Sequence, residues 1–179
     1  KWVRGTPPLL NGDAMNTLFI GYGNPDRQDD GVAWHVLTGL ASQLGLETST
    51  SWEEPLPCAP GTTFAFHLQL TPEMAEDIST FDRVCFVDAH TGNIPDNVQL
   101  VELAPEYQTS PFTHHLTPEM LLSMCQSLYE RVPEAVLVSV RGYEFGFDAD
   151  LSPFTGSLVS EAVERARGWL EAPKVLEPA

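Results

Sequence analysis

The chain has 179 residues, enough for one domain with a sizeable core. Nine Lys and Arg against 25 Asp and Glu give a net charge of −16, which excludes general binding to nucleic acid or to anionic membranes, both of which need clustered cations. At 42% apolar content the chain is too hydrophobic for a disordered acidic tail, and no apolar run approaches the ~20 residues of a membrane span.

Residues 1–14 (KWVRGTPPLLNGDA) lack a continuous apolar stretch and make a poor signal peptide. Met15 stands two residues before the first strong strand, so 1–14 is read as a flexible N-terminal extension or remnant and 15–179 as the domain. Thr17 to Tyr22 (TLFIGY) is a short apolar run with a glycine near its end, and predicts a buried strand. The loop GNPDRQDD follows. Val32, Val36, Leu37, Leu40 and Leu44 then share one face of a helix from Val32 to Leu44, which Gly45 stops. Glu47 to Gly61, with Pro55, Pro57 and Pro60, is read as an irregular insertion.

Thr62 to Leu70 returns to strand character. Thr71-Pro72-Glu73 opens a short helix, with Thr71 as cap and Pro72 at the first helical position. Arg83 to Val87 predicts a buried strand ending at Asp88, and Val98 to Leu103 an edge or antiparallel strand. A loop through Thr113, His114 and His115 leads to a helix from Thr117 to about Tyr129. Ala135 to Val140 is the last strand. The loop GYEFGFDADLSP and a helix from about Thr155 to Leu170 complete the order. Strands alternating with helices predict an α/β fold, a three-layer doubly wound sandwich whose mostly parallel sheet carries helices on both faces.

In such folds ligands sit beyond the carboxyl ends of the strands, near a topological switch. Four segments fall there: GNPDRQDD, Asp88-Ala89-His90, Thr113-His114-His115 and GYEFGFDAD. Asp29 and Asp30 precede the first helix, where one of them can cap it while the other faces the crevice. Asp88 closes an apolar run, where a carboxylate costs several kcal/mol unless it is bonded or metal-bound. His35, His67 and His90 are weaker candidates than His114 and His115, and His35 reads as structural. Carboxylates and one imidazole converging at one sheet edge suit a borderline divalent ion such as nickel or zinc. No HExxH, GxSxG, GxxxxGK[ST] or GxGxxG motif is present. Cys85 falls inside a strand and Cys125 inside a helix, so neither reads as an exposed nucleophile. The three cysteines, Cys58 included, show no CxxC spacing, which fits a reducing, cytoplasmic setting rather than a disulfide framework or zinc knuckle.

FIGYGNPDRQDDGVAWHVL resembles the opening of the [NiFe]-hydrogenase maturation proteases, with their glycine, asparagine and acidic-pair loop. FVDAH resembles that family's second metal-site strand, THHLTPEMLL its histidine loop and VRGYEFGFDADLSP its loop before the last helix, all in matching order from about residue 17 to 170. The resemblance implies an endopeptidase that removes a C-terminal peptide from a hydrogenase large-subunit precursor after nickel insertion. It implies that Asp30, Asp88 and His114 meet the precursor's own nickel, with Asp29 not a main ligand and His115 the alternative to His114. It implies no permanently bound metal, no organic cofactor, and other divalent ions as substitutes for nickel. The expected partner is the precursor, and the expected state is a monomer. QLTPE resembles the subgroup serving bidirectional, NAD(P)-linked hydrogenases, although Leu68 stands where that subgroup has a histidine. The Pro-rich stretch 50–61 departs from the family pattern, and is expected to touch the precursor or form a lid.

Two other readings stay open. A non-catalytic nickel-binding assembly factor fits the missing nucleophile. A receiver domain, with Asp88 as phosphoacceptor and Mg²⁺ on the acidic pair, fits the aspartates but lacks a lysine after the last strand, since Lys1 and Lys174 are the only lysines.

Overall fold

The computed structural model describes residues 15–106 and 116–172. Five strands form one sheet: β1 (Thr17–Tyr22), β2 (Thr62–His67), β3 (Arg83–His90), β4 (Val98–Leu103) and β5 (Glu134–Arg141). Their order is β2-β1-β3-β5-β4. The first four in that order run parallel, and β4 pairs antiparallel with β5 as the edge strand. The helices are α1 (Val32–Gln43), α2 (Met74–Ile78), α3 (Pro118–Tyr129) and α4 (Pro153–Glu171).

Alternation along the strands builds the layers. Phe19, Cys85, Val87, Val136 and Val138 face α1 and α4, whereas Leu18, Ile20, Val84 and Phe86 face α2 and α3. Side chains alternate by two, so each strand supplies both cores, and the expected three-layer doubly wound sandwich is the observed one. The chain winds from β1 outward to β2 and returns past β1 to β3. The switch point therefore lies between the carboxyl ends of β1 and β3. A receiver-type sheet has the order 2-1-3-4-5. The insertion of β5 between β3 and an antiparallel β4 is a different topology.

Several elements differ from expectation. β2 stops at His67 rather than Leu70. The short helix starts at Met74, and neither Thr71 nor Pro72 occupies its cap and first position. The Thr71 hydroxyl instead helps hold the Glu73 carboxyl below its usual range, after the Glu73 backbone N–H. Thr117 does cap α3, accepting from the Met120 N–H at 3.3 Å, with Pro118 as first residue. The insertion after α1 holds no helix or strand, and packs back through buried Leu56 and through Trp52, whose ring meets Phe66 at 6.5 Å.

The amino-terminal end of the sheet is pinned by Arg83, 2% exposed. Its guanidinium donates to Glu134 Oε1 at 3.1 Å and to the carbonyls of Trp169 at 2.9 Å and Leu170 at 3.3 Å, and lies 3.9 Å from the Trp169 ring centroid. One side chain thus satisfies orphan carbonyls at the end of α4, complements the helix dipole and ties α4 to β3 and β5. Arg131, by contrast, pairs with Asp82 at 2.7 Å in a half-exposed setting. Arg83→Ala is expected to lower the unfolding free energy by about 3 kcal/mol, because buried acceptors lose their donor. Arg131→Ala is expected to cost less than about 1 kcal/mol. Urea denaturation of the two variants measures both.

Candidate functional site

The loop after β1 is closed by its own backbone. Gly23 has φ +136°, and a Cβ there would lie 2.0 Å from the Asp30 carbonyl oxygen, so only glycine fits. The Asn24 N–H donates to the Asp30 carboxylate at 2.9 Å, and the Asn24 side chain accepts from the Asp26 N–H at 3.0 Å. Pro25–Gly31, expected as plain loop, forms a 3₁₀ segment broken at Arg27 and Gln28. Gln28 sits at φ +49°, a region that costs a non-glycine residue about 1–3 kcal/mol. The loop after β5 holds it there. The Gln28 N–H donates to the Asp148 carbonyl at 2.8 Å, and the Gln28 Oε1 accepts from the Gly146 N–H at 2.7 Å.

Asp29 makes the junction between these loops. It is fully buried, and its carboxylate does not cap α1, whose N-cap is Gly31 with no side-chain bond. It accepts instead from the N–H groups of Tyr143, Glu144 and Ser152, each at 2.8 Å, and from the hydroxyls of Ser152 and Thr155, each at 2.7 Å. Burial opposes its ionisation, but the Glu144 N–H, the Thr155 hydroxyl and the remaining donors outweigh burial and hold the carboxyl below the usual aspartate range. The acidic pair therefore divides its labour differently from expectation: Asp29 binds the β5–α4 loop, and Asp30 is left at the mouth of the switch point.

Asp88 feels the Asp30 charge there. It lies inside β3 rather than at its end, since the strand continues to His90. The pairing of β1 with β3 stops at Gly21–Val87, however, so Asp88 is the first β3 residue beyond the paired stretch, level with Tyr22 at the end of β1. Burial, and after it the Asp30 charge, push its carboxyl up to about 7 against the lowering effect of the Tyr22 hydroxyl and the Ala89 N–H. The Ala89 N–H donates at 2.8 Å. Tyr22 is a site residue that sequence reasoning passed over as a strand residue. Burial, the Asp88 charge and the hydrogen bond to Asp88 raise its own pKa, with Glu119 of α3 adding to the effect. The available signal was a tyrosine ending an otherwise apolar run. His67 lies opposite Tyr22 in the β1–β2 register, and burial lowers its pKa.

His114 and His115 lie outside the described residues, as does the 1–14 segment. Among the described residues no three His, Cys, Asp or Glu side chains form a metal-binding cluster. Asp30 and Asp88 are a pair of oxygen donors, and their chemistry suits a divalent cation: two neighbouring carboxyls, one with its ionisation made harder by burial and by the other's charge, gain most from a cation that neutralises both. His35 lines a groove between α1 and α4 that contains neither Asp30 nor Asp88, and burial there lowers its pKa against the Asp150 charge. His90 accepts from the Gly92 N–H at 3.1 Å within its own turn. Cys85 and Cys125 are buried and free with pKa values pushed up by burial, Cys125 to about 11, so neither is an activated thiol.

Solved structures share this arrangement of elements. The hydrogenase maturating endopeptidase HybD from E. coli matches with a TM-score of 0.63 at 18% identity, over 87% of this chain and 92% of that one. The chain has the fold of the hydrogenase maturation endopeptidases. The [NiFe] hydrogenase maturation protease HycI from Thermococcus kodakarensis gives a TM-score of 0.58 at 18% identity, covering 89% of this chain and 92% of that one. A hydrogenase 2 maturation peptidase from a Thaumarchaeota archaeon gives 0.59 at 19% identity, covering 87% and 97%. At these identities the likeness is one of fold. No family model and no curated protein sequence matches the chain.

Within this maturation-endopeptidase fold the two aspartates have opposite effects on stability. Asp29 titrates below its unfolded value of about 3.9, so its contribution is present at neutral pH and is lost as pH falls through its folded value. Asp29→Ala is expected to cost about 3–5 kcal/mol at pH 7, because buried N–H groups lose their acceptor. Asp88 titrates near 7 in the folded chain, so folding takes up a proton between about pH 4 and 7 and stability falls as pH rises through that window. Asp88→Asn is expected to remove this slope and to stabilise the protein above pH 7. Denaturant midpoints measured from pH 4 to 8 test both signs.

Proposed function

We propose that this protein belongs to the hydrogenase maturation protease family and is an endopeptidase that removes the C-terminal extension of a [NiFe]-hydrogenase large-subunit precursor after nickel insertion. The observation that carries the reading is the Asp30–Asp88 pair at the β1–β3 switch point, in a chain with the fold of maturation endopeptidases. The four motifs, in family order along the chain, support it.

In this reading nickel arrives as part of the substrate, held by the precursor, and the protein keeps neither a resident metal nor an organic cofactor. Asp30, Asp88 and His114 are the residues that meet it, and other divalent ions can stand in its place. An unloaded precursor lacks this anchor, so specificity is a difference in binding between loaded and unloaded forms. Asp88, with a pKa near neutrality, holds a proton in part of the free protein and releases it when a cation approaches Asp30 and Asp88. The same poise suits Asp88 to take a proton from a water attacking the scissile carbonyl. Tyr22 orients the Asp88 carboxyl through its hydroxyl. The insertion 50–61 lies on the α1 side of the sheet and is assigned contact with the precursor. The protein acts as a cytoplasmic monomer, which its free cysteines and its charge of −16 support. Among the described residues no helix is long and apolar enough to cross a membrane.

The test mixes purified protein with a large-subunit precursor, with and without loaded nickel, and reads the mass of the precursor's C-terminus. Loss of a short peptide from the loaded form alone is the expected result. Asp88→Ala and His114→Ala are each expected to reduce processing by more than about 100-fold while the chain stays folded. Nickel retention by the protein with no cleavage of loaded precursor would favour the assembly-factor reading.

A further inference from the structure

Large apolar side chains are exposed on the loop after β5 and the first turn of α4, at the same sheet end as Asp30 and Asp88. Phe147 is 96% exposed, Phe154 69% and Tyr143 41%. The segment that displays them is held rigidly. Backbone bonds join Gln28 to Asp148 and Asp29 to Glu144, the Gly146 N–H meets Gln28, and the buried Asp29 carboxylate accepts from Tyr143 and Glu144. Tyr143 is fixed in addition by its hydroxyl, which donates to Asn97 at 3.1 Å, by the Arg141 guanidinium 4.7 Å from its ring centroid, and by the Phe154 ring at 5.5 Å.

Exposed aromatics cost solubility, and this chain sets them on a prepaid, rigid frame rather than on a free tip. That combination is how binding hot spots are built: large anchors whose ordering entropy is already spent before the partner arrives. The charge around them is mainly negative, with the Arg141 guanidinium against the Tyr143 ring as the exception. Between Arg141 and Arg165 the chain has no Lys or Arg, whereas Glu144, Asp148 and Asp150 are all exposed in the loop. Arg27 on the facing loop is outnumbered there by exposed Asp26 and half-buried Asp30. The end of the same loop and α4 also wall an open groove of about 500 Å³, with Leu151 of the loop and Gly156 and Val159 of α4 on one side and His35 and Thr38 of α1 on the other.

We infer that the Tyr143–Phe154 surface and the adjoining groove form a docking site for a basic segment of the protein substrate that presents apolar side chains flanked by Lys or Arg. Aromatic anchors set the affinity of such a site, and the carboxylates select against acidic or neutral segments and steer the approach. The inference rests on the proposed function for the identity of its partner, the large-subunit precursor. It adds where on this chain that partner is held, away from the carboxylate pair.

The experiment measures the dissociation constant of the nickel-loaded precursor for four proteins at one ionic strength: wild type, Phe147→Ala/Phe154→Ala, Asp150→Lys and Leu128→Ala. Leu128 is 68% exposed at the opposite end of the sheet and serves as the control. All the substituted side chains are exposed, so the variants keep the fold, which their thermal melts verify. The expected result is an affinity loss of about tenfold or more for the double variant, a smaller loss for Asp150→Lys and none for Leu128→Ala. Wild-type affinity in the double variant overturns the docking surface and leaves the proposed function standing. A wild-type protein that neither binds nor processes the precursor overturns both.

Discussion

Five donors converge on one buried carboxylate, and the carboxyl-terminal edge of the sheet depends on it. Asp29 joins two loops that come from opposite ends of the sequence. With its carboxylate satisfied, Gln28 is held at a positive φ, the turn closes over Gly23, and Asp30 is placed at the switch point with its side chain tied to Asn24. The same clamp stiffens the loop that carries Phe147. A charge that would be costly in a dry interior becomes an organising centre because both of its oxygens accept from N–H or O–H groups.

The neighbouring carboxyls solve the opposite problem. Asp88 is buried with few donors and faces a second acid, so the folded chain holds it away from its preferred ionised state. Sites of this kind lower stability where function needs a group that responds to an arriving charge. Asp29 and Asp88 show that burial alone does not set the direction of a carboxyl's pKa. The balance of burial, donors and neighbouring charge decides it: Asp29 has five donors, whereas Asp88 has the Tyr22 hydroxyl and the Ala89 N–H and also the Asp30 charge against it.

Much of the architecture could be read along the chain. The apolar run of β1, the heptad-like face of α1, the antiparallel edge strand and the Thr-Pro-Glu opening of α3 are local signals, and each stands where expected. The Thr71-Pro72-Glu73 signal looked the same and gave a different start, because the five-residue helix α2 is positioned by packing of Met74 and Ile78 into the core rather than by its cap. Asp88 was legible as an acid out of place in an apolar run. Tyr22 was not, because a tyrosine at a strand end is ordinary until the neighbour across the sheet is known.

The sequence by itself determined the order of elements, the alternation that fills two cores, and the set of acids available near the strand ends. These follow from periodicity and from turn chemistry, which act within a few residues. Only the tertiary structure decided that Asp29 binds the loop after β5 while the Asp30 charge acts on Asp88, that β3 runs on beyond its pairing with β1 to set Asp88 beside Tyr22, and that Arg83 receives the end of α4. Those outcomes join residues separated by 50 to more than 100 positions. Hydrogen-bond satisfaction in a buried setting is a property of whatever surrounds the atom, and the surroundings exist only once the sheet has closed.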